Sequence, residues 1–130
     1  KGSTEPAPDP KVVERNFLRV PTLRQIEFTD GERRVCGFLT QVGEGGVFIA
    51  TELPFERGTE IKLEIGRRAA DGSEELVVVA GVVRWTRFRQ HGGLPAGMGL
   101  VFDELDEQQY GGVVGLIEEA LFMTLSHGDR

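Results

Sequence analysis

Two arginines and a glycine-rich turn are the residues of this chain whose chemistry stands out. Arg15 and Arg19 frame the segment Arg15-Asn-Phe-Leu-Arg19, and Gln41 opens the later stretch Gln41-Val-Gly-Glu-Gly-Gly-Val-Phe-Ile-Ala-Thr51. An arginine side chain has a planar fork of donors that binds an anionic group at two points. Glycines let backbone amides approach an anion closely, and those of this turn are expected to require a positive φ whether or not a ligand binds. On spacing alone, two arginines are more often solvated surface charges.

The elements around these residues are predicted to be β-strands. Alternating residues indicate a first strand from Val20 to Phe28, Asp30-Gly31 indicates a hairpin turn, and Arg33–Val42 is predicted as the returning strand. Four further segments with strand character are Val47–Thr51, Thr59–Ile65, Glu75–Trp85 and Met98–Phe102. Within the two last segments, Gly81 indicates a bulge or bend, and Gly99 leaves room for close packing.

The final element has a helical period. Asp106 is predicted to cap this helix, with Gln109 completing a capping box. The apolar stripe predicted to face inward consists of Tyr110, Val113, Val114, Ile117, Ala120, Leu121, Thr124 and Leu125. Six strands with short turns and one closing helix predict a mainly β fold, a six-stranded antiparallel barrel that a C-terminal α-helix plugs or flanks.

Three glycines inside this helix need an explanation, because each costs about 0.8–1 kcal/mol relative to alanine. Gly111, Gly112 and Gly115 lie away from the predicted stripe, and Leu116 and Met123 lie between the stripe and Gly112. We therefore predict a second helix face, Gly112, Leu116 and Met123, that contacts another subunit or a partner protein. The alternative is a frayed first helical turn.

Composition excludes several classes of function. The formal net charge of −6 argues against broad binding of DNA or RNA, although one small anionic ligand senses only local charge. The single Cys36 lies in an apolar stretch and is expected to be buried and inert. We find no cluster with metal-ligand spacing and no motif that pairs a nucleophile with a base. The sequence therefore predicts no metal, no cofactor, no catalytic residues and no enzymatic activity.

A single domain is expected from the length of 130 residues. Residues 1–10, with three prolines, are expected to be a disordered lead or an expression remnant. Residues 11–19 are predicted to form an arm that carries both arginines, and residues 20–126 the barrel and its helix. No apolar run reaches the roughly 20 residues that span a bilayer, and no signal peptide opens the chain, so a cytoplasmic protein without membrane insertion is expected.

Several sequence motifs occur together in a recognisable order. Besides the arginine pair and the glycine turn, they are Gly45-Gly-Val-Phe-Ile-Ala-Thr, Arg57-Gly-Thr, Gly81-Val-Val-Arg-Trp and Ala96-Gly-Met-Gly-Leu-Val-Phe. From Arg15 to the C-terminal helix, the chain resembles PilZ domains, whose members have an RxxxR arm and a D/N-x-S-x-x-G turn, and it is similar to a myxobacterial-type subgroup. The resemblance implies a PilZ-like barrel of the split-barrel type.

The resemblance also implies a ligand, cyclic di-GMP, a bacterial second messenger with two guanines and two phosphates. Arg15 and Arg19 would clamp guanine and phosphate as the arm becomes ordered around the ligand. Gln41 would contact a guanine edge, while Gly43 and Gly46 would allow the backbone to approach.

Two positions depart from the family pattern. Gln41 stands where the family has Asp or Asn, and Gly43 stands where it has Ser. The missing hydroxyl costs about 0.5–1.5 kcal/mol, which is roughly a factor of 2–13 in affinity. The alternative function is a PilZ domain that binds no nucleotide and acts as a protein-interaction module in motility or signalling. Trp85 and Phe88 are expected to pack in the core or at its rim rather than to stack on a base.

Overall fold

The barrel is observed in a computed structural model that describes residues 19–128, with side chains up to residue 123. Its strands are β1 (Arg19–Thr29), β2 (Arg34–Gly43), β3 (Gly46–Ala50), β4 (Glu60–Arg68), β5 (Glu74–Arg87) and β6 (Gly97–Phe102). All pairings are antiparallel, and the order around the closed barrel is β1-β2-β3-β6-β5-β4. One helix, α1 (Glu107–Gly128), follows. The predicted fold class is confirmed.

The predicted arm lies almost entirely outside the described residues. Residues 1–10 and 11–18, including Arg15, belong to that part of the chain. Arg19 was assigned to the arm, but it is the first residue of β1 and takes part in the pairing with β2. One of the two predicted ligand arginines is therefore fixed to the barrel through its backbone.

The core fills the barrel and continues under the helix. The inward positions of the strands carry large apolar side chains that are almost completely buried: Phe28, Leu39, Ile49, Ile61, Leu63, Ile65, Met98 and Leu100. Helix residues Val113, Leu116, Ile117 and Ala120 belong to the same cluster. Because α1 packs on β1, β2 and β5, its apolar side covers this core and is not a separate layer.

Two glycines explain how β6 fits between its neighbours. At Gly46 of β3, a Cβ atom would overlap the backbone carbonyl oxygen of Leu100, and at Gly81 of β5 it would lie 2.6 Å from the carbonyl oxygen of Val101. The expected positive φ in the turn after β2 is wrong for Gly43, Gly45 and Gly46. Gly46 is needed for this close approach instead. The bulge predicted near Gly81 lies slightly further along, between Val83 and Trp85.

The helix begins with the predicted capping box. The Asp106 carboxylate accepts a hydrogen bond from the Gln109 amide at 2.7 Å, and the Gln109 side-chain oxygen accepts one from the Asp106 amide at 3.0 Å. The side-chain nitrogen of Gln109 also donates to the carbonyl of Val78 at 3.0 Å. The capping residues therefore both start the helix and attach it to β5.

Ion pairs attach the middle of the helix to two strands and continue to a third. Glu119 of α1 accepts from Arg24 of β1 at 2.7 Å and from Arg67 of β4 at 3.1 Å, and Arg67 also contacts Glu75 of β5 at 2.5 Å. The hydrogen bond with Glu75 is the main reason that the pKa of Arg67 is raised, with the charge of Glu119 also contributing. This network holds α1 across the outside of the strands.

Two of the three helix glycines, Gly112 and Gly115, face the barrel and not a partner. A Cβ atom at Gly112 would lie 2.9 Å from a methyl group of Val77, and one at Gly115 would lie 2.7 Å from the guanidinium of Arg67. Leu116 is only 3 % exposed and belongs to the core. The predicted interface is therefore wrong for Gly112 and Leu116, because the missing side chains let the helix backbone approach β5 and β4. Met123 is 57 % exposed, so its predicted role is not contradicted.

A pair of neighbouring substitutions tests this explanation. We expect Gly111→Ala to raise the free energy of unfolding by about 0.8–1 kcal/mol, because nothing lies within 4 Å of its added methyl group. Gly112→Ala gains the same helix propensity but pushes against Val77, so it should be less stable than Gly111→Ala by about 1–3 kcal/mol. Urea denaturation followed by circular dichroism measures both. Equal stabilities of the two variants would contradict the close approach.

Candidate ligand-binding face

The pairing of β1 with β2 brings three predicted ligand residues together. Arg19 lies directly opposite Gly43, and Gln41 lies two residues before Gly43 on the same strand. Between them, Val42 points into the core, so alternation places Arg19 and Gln41 on the outer face of the barrel, whereas Gly43 has the same parity but is buried. The fourth, Gly46, follows at the start of β3. Arg15 lies outside the described residues, so the register places only one of the two arginines.

An aromatic pair continues this face beyond Gln41. Gln41 is opposite Phe48 of β3, Phe48 is opposite Gly99 of β6, and Gly99 is opposite Trp85 of β5. The Phe48 and Trp85 rings are stacked, with centroids 5.1 Å apart and planes 18° from parallel. They can meet across β6 because Gly99 has no side chain; a Cβ atom there would overlap the indole. This confirms the expected close packing at Gly99.

The guanidinium of Arg87 packs against the aromatic pair. Its guanidinium lies 5.1 Å from the centroid of Trp85 and 5.7 Å from that of Phe48, and it donates a hydrogen bond to the carbonyl of Pro95 at 2.7 Å. Trp85, 37 % exposed, packs at the rim as expected, whereas Phe88 is 58 % exposed and does not pack in the core. Phe48 and Arg87 are not predicted from the sequence, since Phe48 lies beside Gln41 only through the strand register and Arg87 reaches Phe48 only through its side chain.

The sequence model of the PilZ domain family matches residues 14–119. This chain belongs to the PilZ domain family. Its structure is similar to that of the Bacillus subtilis inhibitor of motility MotI/DgrA, with a TM-score of 0.66 and 16 % identity over 86 % of this chain and 51 % of the other. It is also similar to the PilZ domain of CeSA from a cellulose-synthesizing bacterium, with a TM-score of 0.54 and 18 % identity over 78 % and 96 % of the two chains.

These structural similarities concern the fold, because both identities are low. The chain spans about half the length of the MotI/DgrA structure, where coverage is 51 %. No curated protein matches the sequence. The family membership rests on the match to the family's sequence model, and the two structures agree with the barrel and its closing helix.

Elsewhere on the PilZ barrel, the described residues include an exposed thiol but no clustered metal ligands. Among residues 19–123, no group of three or more His, Cys, Asp and Glu side chains is arranged to hold a metal ion. Within the described part of the chain, the helix lacks the combined length and apolar character that crossing a membrane requires. Cys36, expected to be buried, is exposed, because it points outward on β2 between the inward-facing Val35 and Gly37.

The turn after β2 is connected to the start of the helix. The Glu44 carboxylate raises the pKa of the Tyr110 phenol above its ordinary value of 10.0, through its negative charge first, then through desolvation and a hydrogen bond that the phenol donates. The backbone supports this contact, since the amide of Phe102 donates to the carbonyl of Gly45 at 2.9 Å. The one acidic residue between Gln41 and Gly46 is thus engaged by the helix.

A spectroscopic titration tests this connection, because Tyr110 is the only tyrosine of the sequence. The raised pKa stabilises the fold at pH values below 10, and this contribution is lost as the pH rises through the pKa of the folded protein. We expect tyrosinate absorbance to appear at a higher pH in the native PilZ domain than in Glu44→Gln. A tyrosine that titrates identically in both proteins would show that the carboxylate does not contact the phenol.

Proposed function

We propose that this PilZ domain is a cyclic di-GMP receptor in bacterial second-messenger signalling, acting by binding and not by catalysis. The observation that carries the proposal is the register that sets Arg19 opposite Gly43, with Gln41 beside them. The exposed guanidinium of Arg19 and the exposed side-chain amide of Gln41 thereby lie on the same side of the barrel, with the buried backbone of Gly43 between them and the core. These groups match the guanine edges and phosphates of the proposed ligand.

Arg19 would hold the ligand against the barrel, because its backbone is part of the β1–β2 ladder. Its exposed side chain can pair bidentately with a phosphate or with the O6 and N7 atoms of guanine. Arg15 would act from the preceding segment and close over the ligand from the other side. The output would be a changed position of that segment relative to a protein partner.

Gln41 and the glycines would complete the contacts. The amide of Gln41 can both donate and accept, as an asparagine would, but its extra methylene moves these atoms outward. Gly43 and Gly46 would let the backbone approach the ligand.

A protein-interaction module without a nucleotide ligand is the second candidate. The departures at Gln41 and Gly43 favour it, since Gln41 displaces a polar group that the family pattern uses and Gly43 lacks another. The described neighbour MotI/DgrA is an inhibitor of motility, so a role in motility through a partner protein is compatible with either candidate.

Isothermal titration calorimetry with cyclic di-GMP separates the two candidates. If the chain is a receptor, the titration is expected to give a heat signal with a Kd below about 100 μM. This Kd corresponds to a binding free energy of roughly −5.5 kcal/mol. Cyclic di-AMP is the matched control ligand, because it has the same phosphates but presents a donor where guanine presents the O6 acceptor. Absence of heat with cyclic di-GMP at this concentration would overturn the receptor and leave the interaction module.

A further inference from the structure

An apolar groove lies on the same face, toward the end of the barrel remote from Arg19. It has a volume of about 690 Å³, and its walls include Phe38, Leu53 and Phe88. These three side chains are 46 %, 56 % and 58 % exposed, respectively. Contiguous exposed apolar side chains of this size indicate an interaction site more often than a neutral surface.

The groove follows from the sizes of four cross-strand neighbours. Phe38 of β2 is opposite Ala50 of β3, Ala50 is opposite Gly97 of β6, and Gly97 is opposite Arg87 of β5. The two middle strands contribute a methyl group and a hydrogen atom, whereas β2 contributes the phenyl ring of Phe38 and the segment after β5 contributes Phe88 and Arg89. A trough therefore runs between two raised walls.

The wall after β5 is held in place before any partner arrives. His91 and Leu94 exchange two backbone hydrogen bonds of 2.9 Å, and Gly92 and Gly93 between them adopt positive φ. The hydrogen bond from Arg87 to the carbonyl of Pro95 closes the base of this loop. A preformed wall lowers the entropy lost when a segment binds.

The charge of this wall differs from that of the whole chain. Between Leu76 and Phe102 there is no Asp or Glu, although the sequence has a net charge of −6. Arg87 adjoins the groove and Arg89 lines it, while Glu52 lines the opposite side. The groove is thus apolar at its centre, basic on one wall and acidic at one position of the other.

We infer that this groove is a docking site for an amphipathic segment of a partner protein, with apolar side chains flanked by Asp or Glu. The apolar residues of the segment would contact Phe38, Leu53 and Phe88, and its carboxylates would lie on the side of Arg89. Glu52 sets the orientation of the bound segment, because an Asp or Glu of the segment placed beside Glu52 would be repelled. This site does not depend on cyclic di-GMP.

A phage-displayed library of random peptides tests the inference. Peptides are selected on the full chain and counter-selected on Phe88→Ser, whose altered side chain is exposed and leaves the core intact. We expect enriched peptides to combine apolar residues with Asp or Glu, and to bind Phe38→Ser and Phe88→Ser about tenfold more weakly or worse. Leu23→Ser, which alters an exposed apolar side chain outside the groove, should bind them as the native chain does.

Exchanging the charges of Arg89 and of the peptide tests the assigned orientation of the bound segment. Arg89→Glu should weaken the selected peptide about tenfold, and a peptide with Lys in place of its acidic residues should recover binding to Arg89→Glu. Enrichment of basic peptides, or no enrichment, would overturn the inference. Self-association in sedimentation equilibrium that Phe88→Ser removes would assign the groove to a second copy instead. Loss of cyclic di-GMP binding in Phe38→Ser would assign it to the nucleotide.

Discussion

Replacing Arg15 and Arg19 together by alanine is expected to remove measurable binding of cyclic di-GMP. Each arginine would supply charge-assisted hydrogen bonds to a phosphate or a guanine, and a hydrogen bond to a charged group contributes about 1.5–3 kcal/mol. Arg19→Ala alone should therefore lower the affinity roughly 10–150-fold. Calorimetry on the native chain and on the variants measures the effect.

The structure offers two controls for this experiment. Arg57→Ala removes an exposed arginine in the turn before β4, on a different part of the barrel, and should leave the affinity unchanged. Arg19→Lys keeps the positive charge but loses the planar fork, so an intermediate affinity is expected. Native-like binding by Arg15→Ala/Arg19→Ala would exclude the proposed clamp, and native-like binding by Arg19→Lys would show that charge alone matters.

Gly46→Ala is expected to destabilise the whole barrel. The added methyl group would overlap the backbone carbonyl oxygen of Leu100, which belongs to the β3–β6 ladder and cannot move without breaking it. Overpacking against a side chain costs about 1–3 kcal/mol, and we expect at least the upper value against backbone. At about 4 °C for each kcal/mol, the melting temperature should fall by roughly 12 °C.

Gly66→Ala is the matched control within the same barrel. Gly66 lies on β4, where nothing lies within 4 Å of an added methyl group, and its φ is not positive. This variant should melt within a few degrees of the native chain, or slightly above it, because alanine restricts the unfolded state. Thermal melts of the two variants that coincide would show that β6 is not packed this closely against Gly46.

Much of the barrel could be predicted, because its strands obey a simple alternation. In β4, Ile61, Leu63 and Ile65 face the core as their period predicts, and in the helix the Asp106–Gln109 capping box forms as predicted. Both signals are local: one depends on residues two apart and the other on residues three apart. Both can therefore be predicted without knowing which strand or helix the element packs against.

The errors arose where a neighbour in space decides the outcome. Gly112 seemed to lie away from the apolar side of the helix, but it is the point at which the backbone meets Val77. Tyr110 was assigned to the inward stripe, yet it is exposed and contacts Glu44 from the turn after β2. Cys36 has apolar neighbours in sequence, but its parity on β2 turns it outward.

The candidate site was predictable only in part for the same reason. Arg19, Gln41 and Gly43 were named from their types and from a resemblance, but nothing in the sequence fixes which residues of β1 and β2 face each other. The register supplies this information by pairing Arg19 with Gly43. It also adds Phe48 and Trp85, which come from strands far apart in the sequence.

Closure of the barrel limits how any protein can recognise this domain. Because β1 pairs with β2 and, at Glu27–Thr29, with β4, the described strands form a closed ring. An extended peptide could be added as another strand only where β1 and β4 are not paired with each other, before Glu27 and after Glu64. Elsewhere on the barrel a partner must distinguish the outward side chains, so substitutions on the outer face can change the choice of partner without altering the barrel.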